Sequence, residues 1–383
     1  MAASSSFFVW DDVMACVGAP SEAGTPWHVD EGPSCEKRTL VSKQNLNLEV
    51  YRWPRAPNTT RLGTVILFHG IHVNTRFDFL RLRSLDFNTS DENTEGLKYE
   101  RSLIAALNQI GFDCVGADMQ SHGLSESVAT EYGYFERFED LVDDAELVCR
   151  DAAKLSGNGA LFFLGISFGG LVATSLACRL EDWRKNAPRP PPIACAGLVL
   201  LAPALSFEKI KDRPVNALVL PLLAALSEYY PTIPIGDRPN SPVYSQFAHA
   251  AERDCAEPSL SPHKTGCYVG NLRARVSKES LDAADRLKAT LVNDRLLDDV
   301  PALTFHSKLD TMTDPESSVF LASATFAHLV YTQDVPGCDQ MWHKLTQEPG
   351  ADVLFQHIAD WLVDVAKPTP PSDAAASRIQ QDY

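Results

Sequence analysis

The sequence predicts an α/β fold in which a mainly parallel sheet is flanked by helices. Short, almost wholly apolar runs recur along the 383-residue chain, and such runs are typical of parallel strands that are buried on both faces. Segments with helical periodicity separate these runs, which is the pattern of successive βαβ units. The composition agrees, because 45% hydrophobic and 22% charged residues are ordinary for a globular protein.

The predicted elements begin with an antiparallel hairpin, whose strands at 38–41 and 46–53 flank a turn at 43–45. Right-handed crossovers then connect the parallel strands, since βαβ units almost always have this hand. The later strands are predicted at 64–68, 113–117, 160–164, 196–201, 301–305 and 328–333. The helices are predicted at 99–110, 138–155, 171–183, 280–297, 317–327 and 353–366.

This order divides the chain into five parts. Prolines and turns become dense after the fourth parallel strand, at 196–201, and strand-like runs nearly vanish there, which indicates a mostly helical insertion. The parts are a polar leader at 1–36, a first core segment at 37–204, a cap at 205–299, a second core segment at 300–366 and a flexible tail at 367–383.

Charge and targeting features exclude several classes of protein. The net charge of -16 argues against a nucleic-acid partner, because such binding depends on basic surface. We see no secretion signal and no apolar run long enough to span a membrane. The nine cysteines are scattered without C-x-x-C pairs, so we expect reduced thiols in a cytoplasmic protein and no metal site. The oligomeric state is not encoded in any pattern that we recognise.

The stretch Gly165-Ile166-Ser167-Phe168-Gly169 fits the G-x-S-x-G pattern of a nucleophile elbow. An apolar strand precedes it and a helix follows, which is the context that this motif requires. Strand and helix pass close together beside the Ser, so side chains at the two framing positions would clash. The alternative is a tight turn between strand and helix that contains an incidental Ser.

Two later residues complete a candidate catalytic triad with Ser167. Asp310 follows a predicted strand, and His343 lies in the loop after the last strand. Their order is the Ser, acid, His order of this kind of site, and all three fall at the carboxyl edge of one sheet. Asp314 is the rival acid, and the alternative for Asp310 is a turn or helix-capping carboxylate. The alternative for His343 is an ordinary surface loop residue.

An oxyanion hole needs preorganised hydrogen-bond donors. The backbone N–H of Phe168, directly after the predicted nucleophile, is one candidate. The N–H of Ile71, in the loop after the strand at 64–68, is the other. We expect His69 to orient that loop rather than take part in chemistry. The other histidines near these motifs are interpreted as structural: His72, His122, which shapes a turn, and His306.

The insertion contains an apolar run at 217–226, which is too short to span a bilayer. Two interpretations stay open. The run is either a helix packed on the catalytic domain or an apolar lid. A lid of this kind would line an acyl tunnel and rest on a membrane surface to take up lipid.

Four stretches resemble the monoglyceride lipase and lysophospholipase family of serine hydrolases, within the α/β-hydrolase superfamily. They are Leu67 to Gly70, Asp118 to Ser125, Gly165 to Gly170, and Asp310 to Pro315 together with Met341-Trp342-His343. The resemblance covers about 40–366. It implies the α/β-hydrolase fold, a cap over the sheet and hydrolysis of a small lipid ester with one acyl chain, without a metal or organic cofactor.

Some positions depart from the family pattern. His72-Val73-Asn74 stands where the family has an acidic residue followed by His, and Ser121 and Ser307 each replace a Gly. The cap diverges most, and we expect head-group specificity to depend on it.

The sequence therefore predicts a carboxylic ester hydrolase that acts on monoacylglycerol first and lysophospholipid second. We expect it in the cytoplasm, in peripheral contact with membranes through the cap. The alternatives are a non-lipid carboxylesterase or thioesterase, a non-enzymatic binding protein on the same fold, and a haloperoxidase-like activity of the same residues. The site limits the class of reaction more tightly than it limits the substrate.

Overall fold

The computed structural model describes residues 28–83, 96–157, 159–189, 191–208, 214–235 and 271–367. The first 27 residues of the predicted leader, the middle of the predicted cap and the tail after Lys367 lie outside the described residues.

The described strands and helices follow the predicted alternation. The strands are β1 (His28–Asp30), β2 (Glu36–Val41), β3 (Asn47–Trp53), β4 (Gly63–Phe68), β5 (Arg81–Leu82), β6 (Gly96–Lys98), β7 (Phe112–Ala117), β8 (Leu161–Ile166), β9 (Cys195–Leu201), β10 (Pro234–Ile235), β11 (Leu272–Arg273), β12 (Ala302–His306) and β13 (His328–Tyr331). The helices are α1 (Thr75–Phe79), α2 (Leu103–Ile110), α3 (Phe138–Leu155), α4 (Phe168–Asn186), α5 (Pro214–Tyr229), α6 (Ala274–Asn293), α7 (Pro315–Ala324) and α8 (Ala351–Ala366).

The main sheet has eight strands among the described residues, in the order β13-β12-β9-β8-β4-β7-β3-β2. Strand β3 pairs antiparallel with β2 and with β7, and the other neighbours are parallel. The predicted α/β fold, with a mainly parallel sheet and an antiparallel hairpin at one edge, is confirmed.

Strand β8 shows why the parallel strands read as continuous apolar runs. All six of its residues are buried. Leu161 and Phe163 belong to the core on one face of the sheet, whereas Phe162 and Leu164 belong to the core on the other. Side chains of α3, α4, α6 and α7 complete the first core, and side chains of α1, α2 and α8 complete the second.

Strand β4 lies between β7 and β8, so the chain passes to one side of β4 first and to the other side afterwards. The loops that leave the carboxyl ends of β4 and β8 consequently diverge. A crevice at such a switch point is where open α/β sheets bind ligands. The two loops concerned begin at His69 and Ser167.

Helix α2 begins later than the sequence predicted. Arg101 has a positive φ of 60°, which interrupts the helix predicted from 99. The Ser102 side chain then accepts the N–H of Ala105 at 3.1 Å and caps the helix at its N-terminus. The predicted end is confirmed, because Gly111 adopts the left-handed conformation there.

Two features were not predicted from the sequence. Part of the predicted leader forms β1, which pairs parallel with β6 in a small second sheet that also contains β5. Helix α6, within the predicted cap, packs against α3, α4 and α5. Its buried side chains belong to the core on the α4 face of the main sheet: Val276, Ala283, Ala284, Leu287 and Leu291.

No helix among the described residues has both the length and the apolar character that crossing a membrane requires.

Helix α3 carries an acidic side chain into the interior. Asp144 is 5% exposed, and its Oδ2 accepts a hydrogen bond from Gln120 Nε2 at 2.8 Å. Burial raises the pKa of Asp144 to about 7, and the nearby charges of Asp140 and Asp143 act in the same direction against the Gln120 bond. The folded protein therefore binds a proton at Asp144 more tightly than the unfolded chain does.

We expect Asp144→Asn to stabilise the protein more at pH 8 than at pH 5. Because the pKa of Asp144 is higher in the folded state, its contribution to stability is present at low pH. That contribution is lost as pH rises from about 4 to about 7, and Asn removes this titration. The expected gain is about 2–4 kcal/mol in the free energy of unfolding at pH 8, measured by urea denaturation.

Asp182→Asn, which alters an exposed carboxylate of α4, is the matched control and should change stability little at either pH. An equal gain from Asp144→Asn at pH 5 and pH 8 would contradict the expected titration.

Candidate active site

Ser167 lies in a strained turn between β8 and α4, with φ 52° and ψ -119°. A positive φ is unusual for a residue with a side chain, so the surroundings must hold it. The N–H of Ser167 donates to Leu201 O at 3.0 Å, and its carbonyl accepts the N–H of Gly170 and of Ala204, each at 2.9 Å. The predicted strand–Ser–helix arrangement is thus present, and backbone bonds fix it.

The two glycines that frame Ser167 are required by lack of space. A Cβ on Gly165 would lie 2.7 Å from Gly169 O, and a Cβ on Gly169 would lie 2.1 Å from Phe68 O. Both distances are far below van der Waals contact, and the obstructing atoms are backbone. The predicted steric role of these glycines is confirmed.

Phe168 opens helix α4 and anchors its first turn. Its ring is 3% exposed, stacks on Phe135 at 5.9 Å and meets Phe138 edge to face at 5.8 Å. Such aromatic contacts add to the gain from burial. They hold the backbone of Phe168, whose N–H is a predicted oxyanion donor, at the helix N-terminus beside Ser167.

The loop after β4 is oriented by His69, which is fully buried. Met119 N–H donates to His69 Nε2 at 2.9 Å, so in the neutral ring the proton is on Nδ1, which donates to Gly70 O at 2.7 Å. Burial lowers the pKa of His69, which favours this neutral form. These contacts agree with the orienting role expected from the sequence.

Asp78 holds the same loop from the other side. Gly70 N–H donates to Asp78 Oδ2 at 2.6 Å, and Lys344 Nζ donates to Asp78 Oδ1 at 3.2 Å. The Thr346 hydroxyl donates to Asp78 O at 2.8 Å. The loop that contains Ile71 is therefore tied to the loop that contains the predicted catalytic His.

Gly70 itself lies beside the predicted nucleophile. A Cβ built on Gly70 would be 3.6 Å from the Cβ of Ser167. The loop that contains Ile71, the other candidate oxyanion donor, accordingly passes close to Ser167.

The predicted acid and base are in direct contact. His343 Nδ1 lies 2.8 Å from Asp310 Oδ2, and the two side chains are 4% and 0% exposed. Asp310 Oδ1 accepts the backbone N–H of Met312 at 2.7 Å and of Thr313 at 3.0 Å. The carboxylate is thus held by the loop after β12 with one oxygen directed at His343.

Burial alone would raise the pKa of Asp310. The charge of His343 and the hydrogen bonds from His306 and His343 outweigh that effect and hold the pKa well below its ordinary value. Asp310 is consequently ionised at neutral pH, and an ionised carboxylate accepts the Nδ1 proton of His343. That bond leaves Nε2 as the ring nitrogen with a free electron pair.

Asp314, the rival acid, has another role. Its Oδ1 accepts the N–H of Glu316 at 3.1 Å, and the residue is the N-cap of α7. This contact favours Asp310 as the partner of His343.

The segment that follows β9 joins the acid loop to the elbow. The Ser317 hydroxyl, just after the acid loop, donates to Pro203 O at 3.1 Å, and Ala204 N–H donates to Ser167 O at 2.9 Å. The structure therefore brings Asp310 and His343 into direct contact and connects them to Ser167 through the backbone at 202–204.

Of the other histidines, His122 and His72 lie close together, with ring centroids 6.5 Å apart. His122 Nδ1 lies 2.9 Å from Gln120 O, which agrees with the turn expected at His122-Gly123. Burial lowers the pKa of His72 to about 3 and that of His122 well below its ordinary value.

Sequence reasoning missed Asp78, Lys344 and Thr313. Only Lys344 carries a signal, because it directly follows the predicted catalytic His. In the part of the chain that the structure describes, no group of three or more His, Cys, Asp or Glu side chains is placed to hold a metal ion.

The sheet order, the elbow after β8 and the long loops at the carboxyl edge define the α/β-hydrolase fold. The family model described as serine aminopeptidase, S33, matches residues 93–350. Since this match spans more than half of the chain, the chain belongs to that hydrolase family.

A curated relative and two solved structures are similar to this chain. The monoglyceride lipase of Saccharomyces cerevisiae is 22% identical over 326 residues, which cover 81% of this chain and 88% of the relative. The crystal structure of a soluble variant of the same organism's monoglyceride lipase, in complex with a substrate analogue, has a TM-score of 0.58 at 17% identity and covers 91% of this chain and 100% of that one. A thermostable carboxyl esterase from Bacillus coagulans has a TM-score of 0.59 at 13% identity, with coverages of 88% and 100%.

We expect Gly169→Ala to destabilise the protein by about 3 kcal/mol or more, because the added Cβ would collide with the backbone of Phe68. Thermal or urea unfolding measures this loss. Gly159→Ala is the matched control, since the nearest atom to its Cβ is Ser156 O at an ordinary 3.5 Å. If Gly169→Ala changed the stability as little as Gly159→Ala does, the steric account of the elbow would be contradicted.

Proposed function

We propose that this chain is a serine hydrolase that cleaves the carboxylic ester of a lipid with one acyl chain. Monoacylglycerol is the first-choice substrate and lysophospholipid the second. The observation that carries the proposal is the buried contact of 2.8 Å between His343 Nδ1 and the Asp310 carboxylate, in the same sheet edge as the strained Ser167. This combination supports an oriented general base at the sheet edge that also carries the candidate nucleophile.

In the first half of the reaction, Ser167 Oγ attacks the ester carbonyl carbon and its proton passes to His343 Nε2. Asp310 stabilises the imidazolium that forms. The backbone N–H groups of Ile71 and Phe168 donate to the oxyanion. Because Gly70 N–H is already bonded to Asp78, Ile71 is the next donor along that loop.

Collapse of the intermediate breaks the ester bond. His343 gives its proton to the departing alcohol oxygen, and an acyl-enzyme remains on Ser167. A water molecule then attacks this acyl group, and His343 takes a proton from the water as it attacks. A second collapse releases the fatty acid and returns the proton to Ser167.

The lipid preference is supported by the sequence relative, which is a monoglyceride lipase. A carboxyl esterase has the same fold, so a non-lipid ester is the alternative substrate. Because the matched family is described as serine aminopeptidase, a peptide is a further substrate class to test. A non-enzymatic binding protein remains the alternative from a different class.

We expect Ser167→Ala to abolish ester hydrolysis and labelling by a fluorophosphonate probe while the protein stays folded. The physical reason is that the probe reacts only with an activated nucleophile. Competition by monoacylglycerol, lysophosphatidylcholine, a short p-nitrophenyl ester and an aminoacyl p-nitroanilide ranks the substrate classes in one assay. Hydrolysis retained by Ser167→Ala would contradict the proposed nucleophile.

The acid is tested by a matched pair of substitutions. Asp310→Asn should lower kcat by about 10⁴-fold, because it disturbs the tautomer and charge of the catalytic His. Asp314→Asn should leave kcat nearly unchanged and cost at most about 1 kcal/mol through helix capping. A large loss of kcat in Asp314→Asn with little loss in Asp310→Asn would assign the catalytic acid to Asp314.

We further propose that helix α5 contacts a lipid surface. Its Leu222 and Tyr229 are exposed by 56% and 76%, and Tyr230 just after it by 65%, whereas the neighbouring Leu223 is buried. Exposed apolar and aromatic side chains in one segment mark an interaction surface, and tyrosines favour the membrane interface.

We expect Leu222→Ser with Tyr229→Ser to weaken hydrolysis of lipid dispersions by about 3- to 10-fold, because each loses apolar area that would enter the interface. Hydrolysis of a soluble short ester should not change. Leu155→Ser is the matched control, since Leu155 is also exposed but ends α3, at the opposite edge of the sheet. Equal losses on both substrates would show that α5 acts through folding or packing instead.

A further inference from the structure

The Asp310 carboxylate is approached by a second imidazole besides that of His343. His306, the last residue of β12, has its Nε2 3.3 Å from Asp310 Oδ2. Both side chains are 0% exposed, so water does not compete for these groups. The same oxygen accepts from His343 Nδ1 at 2.8 Å. Sequence reasoning treated His306 as structural, but this contact places it directly behind the proposed triad.

The hydroxyl of Thr313 links His306 to Asp310. Thr313 Oγ1 lies 2.7 Å from Asp310 Oδ2 and 3.2 Å from His306 Nε2. An ionised carboxylate only accepts hydrogen bonds, so the short contact assigns the single hydroxyl proton of Thr313 to Asp310. The Thr313 oxygen then accepts, which means that His306 carries a proton on Nε2.

On the other side of the ring, His306 Nδ1 lies 2.7 Å from Ser318 Oγ, and Ser318 Oγ lies 3.2 Å from Thr304 Oγ1. A neutral imidazole has one N–H donor and one acceptor. With the proton on Nε2, Nδ1 accepts from Ser318, and Ser318 in turn accepts from Thr304. These three side chains are all 0% exposed.

The hydrogen bonds therefore run in one direction, from Thr304 through Ser318, His306 and Thr313 to Asp310. When the His306 ring is neutral, every donor in this chain has an acceptor, and the tautomer follows from these partners. The last acceptor is the Asp310 carboxylate oxygen that also accepts the Nδ1 proton of His343. Such satisfied networks, in which only Thr313 is half-buried here, hold their members in one arrangement.

We propose that His306 is a positioning residue of the reaction, which acts through Thr313 and Asp310 to hold the carboxylate in the orientation that His343 needs. This inference rests on the proposed triad. Donors on Asp310 Oδ2 fix its direction and limit the negative charge that faces His343. Loss of these donors should misplace the carboxylate and also make its interaction with the protonated His343 stronger.

The experiment compares His306→Leu, which keeps side-chain bulk without a donor, with His306→Gln, whose amide can still donate near the Nε2 position. His306→Leu should lower kcat about 10- to 100-fold with KM changed less than about 2-fold, because small misplacements of catalytic groups cost this much. His306→Gln should recover part of that loss.

The pH profile separates positioning from general damage. With His306→Leu, the acid limb of the kcat/KM profile should move to higher pH by about half a unit, since a less neutralised carboxylate favours the protonated form of His343. His357→Gln is the control, because His357 is exposed and packs near Phe305, the neighbour of His306. It should change neither kcat nor the profile.

Ser318→Ala and Thr313→Val test the same chain if His306→Leu fails to fold. Ser318→Ala removes the donor that sets the His306 tautomer, and Thr313→Val removes the hydroxyl between His306 and Asp310. Each should lower kcat about 3- to 10-fold, in proportion to one lost hydrogen bond, and should move the acid limb in the same direction as His306→Leu.

A double-mutant cycle with Asp310→Asn decides between the outcomes. If His306 acts through Asp310, His306→Leu should reduce kcat no further in the Asp310→Asn background. A full additive loss, or an unmoved acid limb in folded variants, would overturn the positioning role. Wild-type activity of Asp310→Asn would instead overturn the proposed triad, so the two failures are distinguishable.

Discussion

The close approach of Gly169 to the backbone at the end of β4 is the constraint on which the site depends. A Cβ there would lie 2.1 Å from Phe68 O, so strand and helix meet with no side chain between them. This contact sets the start of α4 against the loop that begins at His69. Ser167, two residues earlier in the chain, is consequently brought beside Gly70, in a turn where its φ is positive at 52°.

Polar contacts then fix the loops around this point in relation to one another. Asp78 connects the β4 loop with the loop that contains His343 through Gly70 and Lys344. Ser317, just after the acid loop, donates its hydroxyl to Pro203 O in the segment after β9, and that segment is bonded to the carbonyl of Ser167. Because these bonds are buried, water does not weaken them, and the edge of the sheet is organised before any ligand arrives.

The sequence predicted the sheet and the three proposed catalytic residues because both depend on local patterns. Apolar runs mark strands that are buried on two faces, and the framing glycines mark a steric need within a few residues of Ser167. The ion pair between Asp78 and Lys344 joins positions 266 residues apart, so it depends on tertiary placement that no local pattern contains. The pairing of β1 with β6 was missed for a similar reason, since each is a three-residue segment too short to show a period.

The position of α6 bears on how the specificity of this fold can diversify. Its buried side chains belong to the core that also supports α3 and α4, and Ala204 at the other end of the insertion is bonded to Ser167. Both borders of the insertion are therefore fixed to the catalytic scaffold. Changes of exposed side chains between these borders, such as Leu222, therefore leave the anchor points in place. Changes in substrate range are in this way separated from maintenance of the reaction.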